Sequence, residues 1–121
     1  MGKLVDDTVL DGALTVIDSN MSALHVNTAE PASRAAAISD SLATVAVDGT
    51  DGTIANGDTS GRKLTIAQQV DLSITSSGTA THIAVISATV LLYVTTCTSQ
   101  ALTSGGTVTI PAWDIEIADP A

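Results

Sequence analysis

From position 4 to position 20 the apolar residues recur at intervals of three or four. At about 100° per residue, Val5, Val9, Ala13, Val16 and Ile17 share one face, with Leu10 at its edge, while Asp7, Asp11 and Asp18 share another. The spacing predicts a helix over 4–20, or about 6–19 once Asp6 is read as the N-cap, because as a helical residue it would fall on the apolar side. Acidic residues near the start suit the helix dipole. Gly12 costs about 1 kcal/mol relative to alanine in a helix interior, which points to close packing against a sheet.

After Asn20 the period drops to two. "MSALHVNT" sets Leu24, Val26 and Thr28 against Ala23, His25 and Asn27, as in a strand. "EPASRAAAI" has Pro31 near its start and then three alanines, and reads as a short helical turn. "SLATVAV" is a second strand. "DGTDGTIANGDTSG", residues 48–61, is rich in Gly, Asp, Asn and Thr and reads as the longest loop, the kind usually functional or mobile. Seven further strands follow: "RKLTIAQQ", "VDLSIT", "ATHIAVI", "TVLLYVTT", "SQALT", "TVTIPA" and "WDIEIA". Tight turns are expected at Ser87-Ala88 and Gly105-Gly106. In the strand around His82, alternation places Ala80, His82, Ala84 and Ile86 on one face and Thr81, Ile83 and Val85 on the other. A central hairpin is expected, one strand to Ile86 and the next from Thr89, with Ile83, Val85, Leu92 and Val94 in the core and His82 bonding a neighbouring strand or loop. The expected fold is mainly β: a small antiparallel β-sandwich or jelly-roll-like barrel with an N-terminal α-helix and a short second helix, in a single domain 1–121 that is strand-rich over 21–121.

Composition narrows the function classes. Thirteen acids against four bases leave a net charge of −9, which argues against nucleic acid, whose phosphates need clustered Lys and Arg, and against anionic membrane surfaces. Charged residues are 14% of the chain, against about 25% in an ordinary soluble domain. With no Phe and 2% aromatics, the core must be built from Val, Ile, Leu, Ala and Thr. The single Cys97 excludes an internal disulfide. The opening "MGKLVDDTVLDG" has no uninterrupted apolar stretch, Asp6 stands where a myristoylation pattern needs Ser or Thr, and the apolar run 83–94 is too short to span a bilayer as a helix. The expectation is a soluble, unprocessed cytoplasmic product.

No catalytic, cofactor or metal constellation is expected. His82 and His25 stand outside any nucleophile elbow, HExxH helix or zinc spacing, so each is read as a hydrogen-bonded strand histidine. Asp48, Asp51 and Asp58 could offer oxygens to calcium. The stretch lacks the DxDxDG run and the distal Glu of an EF-hand, as well as the nonapeptide glycine repeat, and Asp-Gly is common turn chemistry. Cys97 has no CxxC partner and no basic neighbour, and reads as a small hydrophobe. Arg62 and Lys63, in "SGRKL", lead into a strand rather than a helix, so they read as a solvated strand end, with contact to an acidic partner as the alternative. The threonines are too irregular for an ice-binding or glycan-modified face and read as β-branched strand residues.

The order of segments carries more than any one of them. "KLVDDTVLDGALTVI" precedes "AEP", "NGDTSGRKLTI", "SSGTATHIAVI" with "LL" on the next strand, and "LTSGGTVTIPAWDIEI". This series resembles a family of small tailed-bacteriophage virion proteins, whose members open with a "LVD…LDAAL" helix and carry "CSAEP"-like, "NGRKV"-like, "SGTATHWA" and "TSGNTFT" segments. The resemblance covers nearly the whole chain, and "GTATH" and "LVDD…LDGAL" are its most specific parts. Departures are His25-Val26-Asn27-Thr28 where Cys-Ser is common, Ile83 where Trp is common, and Ser87-Ala88 in place of a longer Asp-Gly-type turn. The resemblance implies a capsid decoration or cement protein on the virion, outside a head shell of the HK97-type fold. There it would partner the major capsid protein, as a homo-oligomer, with a trimer favoured. Partner contacts are expected from residues 1–5, including Lys3, Leu4 and Val5, as an apolar arm outside the capped helix, and from Asp48, Asp51, Asp58, Arg62 and Lys63 around the long loop. The alternatives are a fibre or tail-tip module contacting the host surface, for which only Trp113 and Tyr93 offer aromatic platforms, and a small phage hydrolase or metal enzyme, which no constellation supports.

Overall fold

A computed structural model of the chain describes residues 3–120. The first helix, α1, is Asp7–Asn20, and Asp6 caps it from extended backbone by accepting the Thr8 N–H at 2.8 Å. The face it buries differs from the predicted one. Leu10 and Leu14 are buried and Ile17 half-buried, whereas Val9 (63% exposed), Ala13 and Val16 (55% exposed) point outward. Leu10 and Leu14 each bring more apolar area to the core than a valine or an alanine would. The same rotation carries Asp11 to Arg62, whose Nε lies 2.7 Å from its Oδ1. Gly12 consequently faces open space rather than a sheet.

Among the described residues nine strands follow, all paired antiparallel. β1 (Ala23–Asn27), β2 (Ser41–Ala46), β6 (Gly78–Ile86) and β7 (Leu91–Leu102) form a four-stranded sheet in the order β2-β1-β6-β7. β3 (Gly52–Asn56), β4 (Arg62–Ile66) and β9 (Trp113–Ile117) form a second sheet in the order β3-β4-β9. β5 (Gln69–Ser73) and β8 (Thr107–Ile110) make a two-stranded ribbon, tied to β2 by a bridge between Ala43 and Ile74. The inward residues of all three, among them Leu24, Val85, Leu64, Ile66 and Ile110, pack with Leu14 into one core. The architecture is a mainly β, sandwich-like fold, with α1 lying against β3 and β4 and the short α2 (Arg34–Ser39, capped by Ser33) on the outer face of the four-stranded sheet. No helix among the described residues is long and apolar enough to cross a membrane.

Four local expectations are corrected. Residues 48–61 are a hairpin rather than a loop. Asp48 and Asp51 cap a 3-10 turn at Gly49–Asp51, β3 then pairs with β4, and the turn is confined to 57–61. Gly61 lies at φ +69°, and a side chain there would strike the Ile117 carbonyl, while one on Gly52 would strike the Asp18 carboxylate. "TVLLYVTT" and "SQALT" are one strand, β7, which begins at Leu91 after a four-residue turn, 87–90, closed by Ser87 N–H to Val90 C=O at 2.9 Å. Gly105-Gly106 does form a tight turn, but its flanking strands do not pair. Gly105 N–H bonds Ile74 C=O, and β8 pairs with β5. Finally, the β6–β7 register shifts between Ala80 and His82, where three β7 residues, 97–99, stand opposite the single Thr81. Ala80 therefore joins Val85 in the main core, while Ala84 and Ile86 pack on the α2 side with Ala37 and Val94.

Candidate interaction surface

The charged hairpin β3–β4 is held by its own chain. Asp48 accepts Thr50 N–H at 2.8 Å, and Asp51 accepts Asp48 N–H at 2.9 Å. Hydrogen bonds from the Thr50 side chain and backbone hold the Asp48 carboxyl below its usual range. Lys63 Nζ lies 2.7 Å from Asp58 and 3.4 Å from Asp114, and the Asp58 bond lifts its pKa above the ordinary lysine value. Asp114 in turn is lowered, first by the Thr65 hydroxyl at 2.7 Å. Asp58 N–H also bonds the Glu116 carboxylate. Arg62 reaches Asp11 and Asn56 Oδ1. The sequence brought Asp48, Asp51 and Asp58 together as candidate oxygens; the structure sends the first two to the 3-10 cap and the third to Lys63. Among the described residues no three Asp, Glu, His or Cys side chains converge as a metal site.

The histidines hold structure by different means. His25 is buried, with Nδ1 2.9 Å from Ser41 Oγ, and burial, then the nearby Arg34 guanidinium, pushes its pKa down. His82 pairs with Thr81 Oγ1 at 2.8 Å, within its own strand rather than with a neighbouring strand or loop.

Ahead of α1, Lys3 and Leu4 are exposed, Leu4 by 94%, and Val5 is half-buried. Met1 and Gly2 of the expected contact arm lie outside the described residues.

One surface has no counterpart in the sequence reading. β7 ends the four-stranded sheet, and β8 has only β5 beside it, so each has a free edge. Between β7 and the β8–β9 connection runs a groove of two adjoining hollows, about 200 and 260 Å³, which share Ile83, Cys97, Ile110 and Pro111. Its apolar lining includes Val108 and Leu102, and Asp114 stands at one rim. Trp113 lines one hollow and packs edge-on against Tyr93 with ring centroids 6.0 Å apart; its indole N–H is buried without a partner. Cys97 was expected to be a small buried hydrophobe; it is half-buried in a groove wall, packed against the core, and burial pushes its thiol up. The signal that could have drawn notice to this region is the "TIPAW" break, Thr109–Trp113, where Pro111 interrupts two short strands. Compared with known proteins, the chain matches no family model, no curated protein and no solved structure.

Proposed function

We propose that this chain is a structural protein of a bacteriophage virion, a decoration or cement protein that binds the outside of the head shell and stabilises contacts between capsomers. The observation that carries the reading is the amount of contact-ready surface on so small a β domain. It comprises an apolar groove bounded by two free strand edges, a nearly bare Leu4, and the outward Val9 and Val16 of α1. Water is a poor partner for such surface, and permanent neighbours are a good one. The ordered segments from "LVDD…LDGAL" through "SGTATH" to "LTSGGTVTI" point to the same class. Ion pairs and hydrogen bonds internal to the fold engage His25, His82, Arg62 and Lys63, which suits a rigid body that makes contacts.

The mechanism is mass action. A protein that binds the assembled shell and not its dispersed parts shifts the equilibrium towards the shell. The partner would be the major capsid protein and the form a closed homo-oligomer, a trimer at local three-fold positions. The test is copy number in purified particles. A decoration protein is expected at hundreds per particle, on the order capsid symmetry dictates. A few to dozens would move the protein to the tail or its tip, the competing reading. Removing residues 1–5 is expected to lower particle occupancy, and unchanged occupancy removes that segment from the contact.

A further inference from the structure

We propose that the extended segment ahead of α1, Lys3–Val5, docks in the groove between β7 and β8 of a second copy of this chain, each copy lending Leu4 to the next. Four observations lead there. Leu4 is 94% exposed, the most exposed large apolar side chain among the described residues, while the groove offers an apolar floor of Ile83, Leu102, Val108 and Ile110. The groove is flanked by two unpaired strand edges, which offer N–H and C=O groups to an extended chain.

Charge agrees with this placement. Side chains alternate along an extended segment, so a Leu4 turned into the groove leaves Lys3 turned away, at the rim. Asp114 stands at that rim. Two of the other three bases are committed in their own chain, Arg62 to Asp11 and Lys63 to Asp58 and Asp114. Lys63 alone is set against Asp58 and Asp114, so that rim keeps a net negative charge, and in a chain of net charge −9 its attraction for Lys3 beside an uncharged floor lets two copies approach.

The geometry also favours a neighbour over the chain's own groove. α1 starts near the Arg62 end of β4, through Asp11, and Arg62 is in register with Ile117, whereas the groove lies at the Trp113 end of β9, in register with Ile66. Those ends are about 13 Å apart along the strand, and the three residues ahead of the cap reach about 10 Å. Arm and groove are different patches, so each copy both gives an arm and receives one, reciprocally in a two-fold dimer or head-to-tail in a ring. Contact between copies needs no shell, so this inference and the virion reading are tested apart.

The experiment uses the purified full chain. Sedimentation should show a concentration-dependent oligomer, weakened at least tenfold by Leu4→Asp, a change at an exposed site, and likewise by Thr98→Arg, an exposed β7 position lining the groove where arginine fills space and repels Lys3. Far-UV circular dichroism checks that both variants remain folded. A chain carrying Leu4→Cys and Cys97→Ala, mixed with the natural chain and treated with a short bis-maleimide, should give a covalent heterodimer joined through Cys97. A natural chain that sediments as a monomer at every concentration, an oligomer untouched by Leu4→Asp, or a Leu4→Cys chain that keeps Cys97 and cross-links only within itself would each overturn the proposal.

Discussion

The two faces of the β2-β1-β6-β7 sheet are both buried, yet by different means. On the inner face, Leu24, Val26 and Val85 meet Leu14, Leu64 and Ile66 in one aliphatic core. On the outer face, Ala37, Ala84 and Ile86 make a small cluster beneath α2, and the polar side chains of His25 and Asn27 are buried on the same strand, β1. Asn27 donates to the Ala37 carbonyl at 2.9 Å, His25 meets Ser41, and Arg34 Nε donates to the Ser87 carbonyl at 2.8 Å. A two-turn helix of small residues cannot cover a sheet with apolar area alone. Its backbone comes close enough to be held by hydrogen bonds instead. The inner face draws its stability from area, and the outer face also from the hydrogen bonds that tie α2 and its flanks to the sheet.

The sharpest way to break this contrast is to remove area where area is said to matter. Leu24→Ala, at a fully buried inner site, is expected to cost about 2–5 kcal/mol, read as a lower midpoint in urea denaturation. Asn27→Ala should cost less, about 1–3 kcal/mol, because it strands the Ala37 carbonyl. Its effect should concentrate in α2, seen as faster amide hydrogen exchange over Arg34–Ser39. If Asn27→Ala costs as much as Leu24→Ala and loosens both faces alike, the distinction fails.

The smallest effect is on pH dependence. Burial and Arg34 hold the His25 imidazole below its ordinary range, so the unfolded chain takes up this proton at a pH where the folded chain does not. The stabilisation from a neutral His25 is therefore complete above the unfolded value of about 6.5 and is lost as the pH falls through it towards the lower folded value. His25→Gln keeps a partner for Ser41 and should flatten that part of the stability profile. An unchanged slope between the two chains would show that His25 does not titrate with folding.

Much of the fold was legible. The Asp6 cap, α1, the short α2 and the β-rich remainder follow from period, capping chemistry and β-branched runs, all of which act within a few residues. The errors arose where a distant partner decided. Residues 52–56 pair with β4 despite a composition suited to a loop, because sheet pairing draws on backbone groups that every residue carries. The helix periodicity was right and its orientation wrong, since Leu10, Leu14 and the Asp11–Arg62 pair outweighed the valine stripe. The candidate contact residues divide in the same way. Lys3 and Leu4 are exposed, as a chain segment outside a capped helix suggests, while Arg62, Lys63 and Asp58 are occupied by partners up to 51 positions away. The groove was invisible because two strand edges make it by failing to pair.

By itself the sequence determined a small acidic β protein with a capped helix, a Phe-free core and polar residues spread along its strands, because propensity, capping and net charge are local or additive properties. Only the tertiary structure decided which face of α1 went inward, where the β6–β7 register shifts opposite Thr81, and that β7 and β8 would each keep an open edge. Those outcomes depend on competition for one shared core and on which edges find partners, and neither is written in any short stretch of chain.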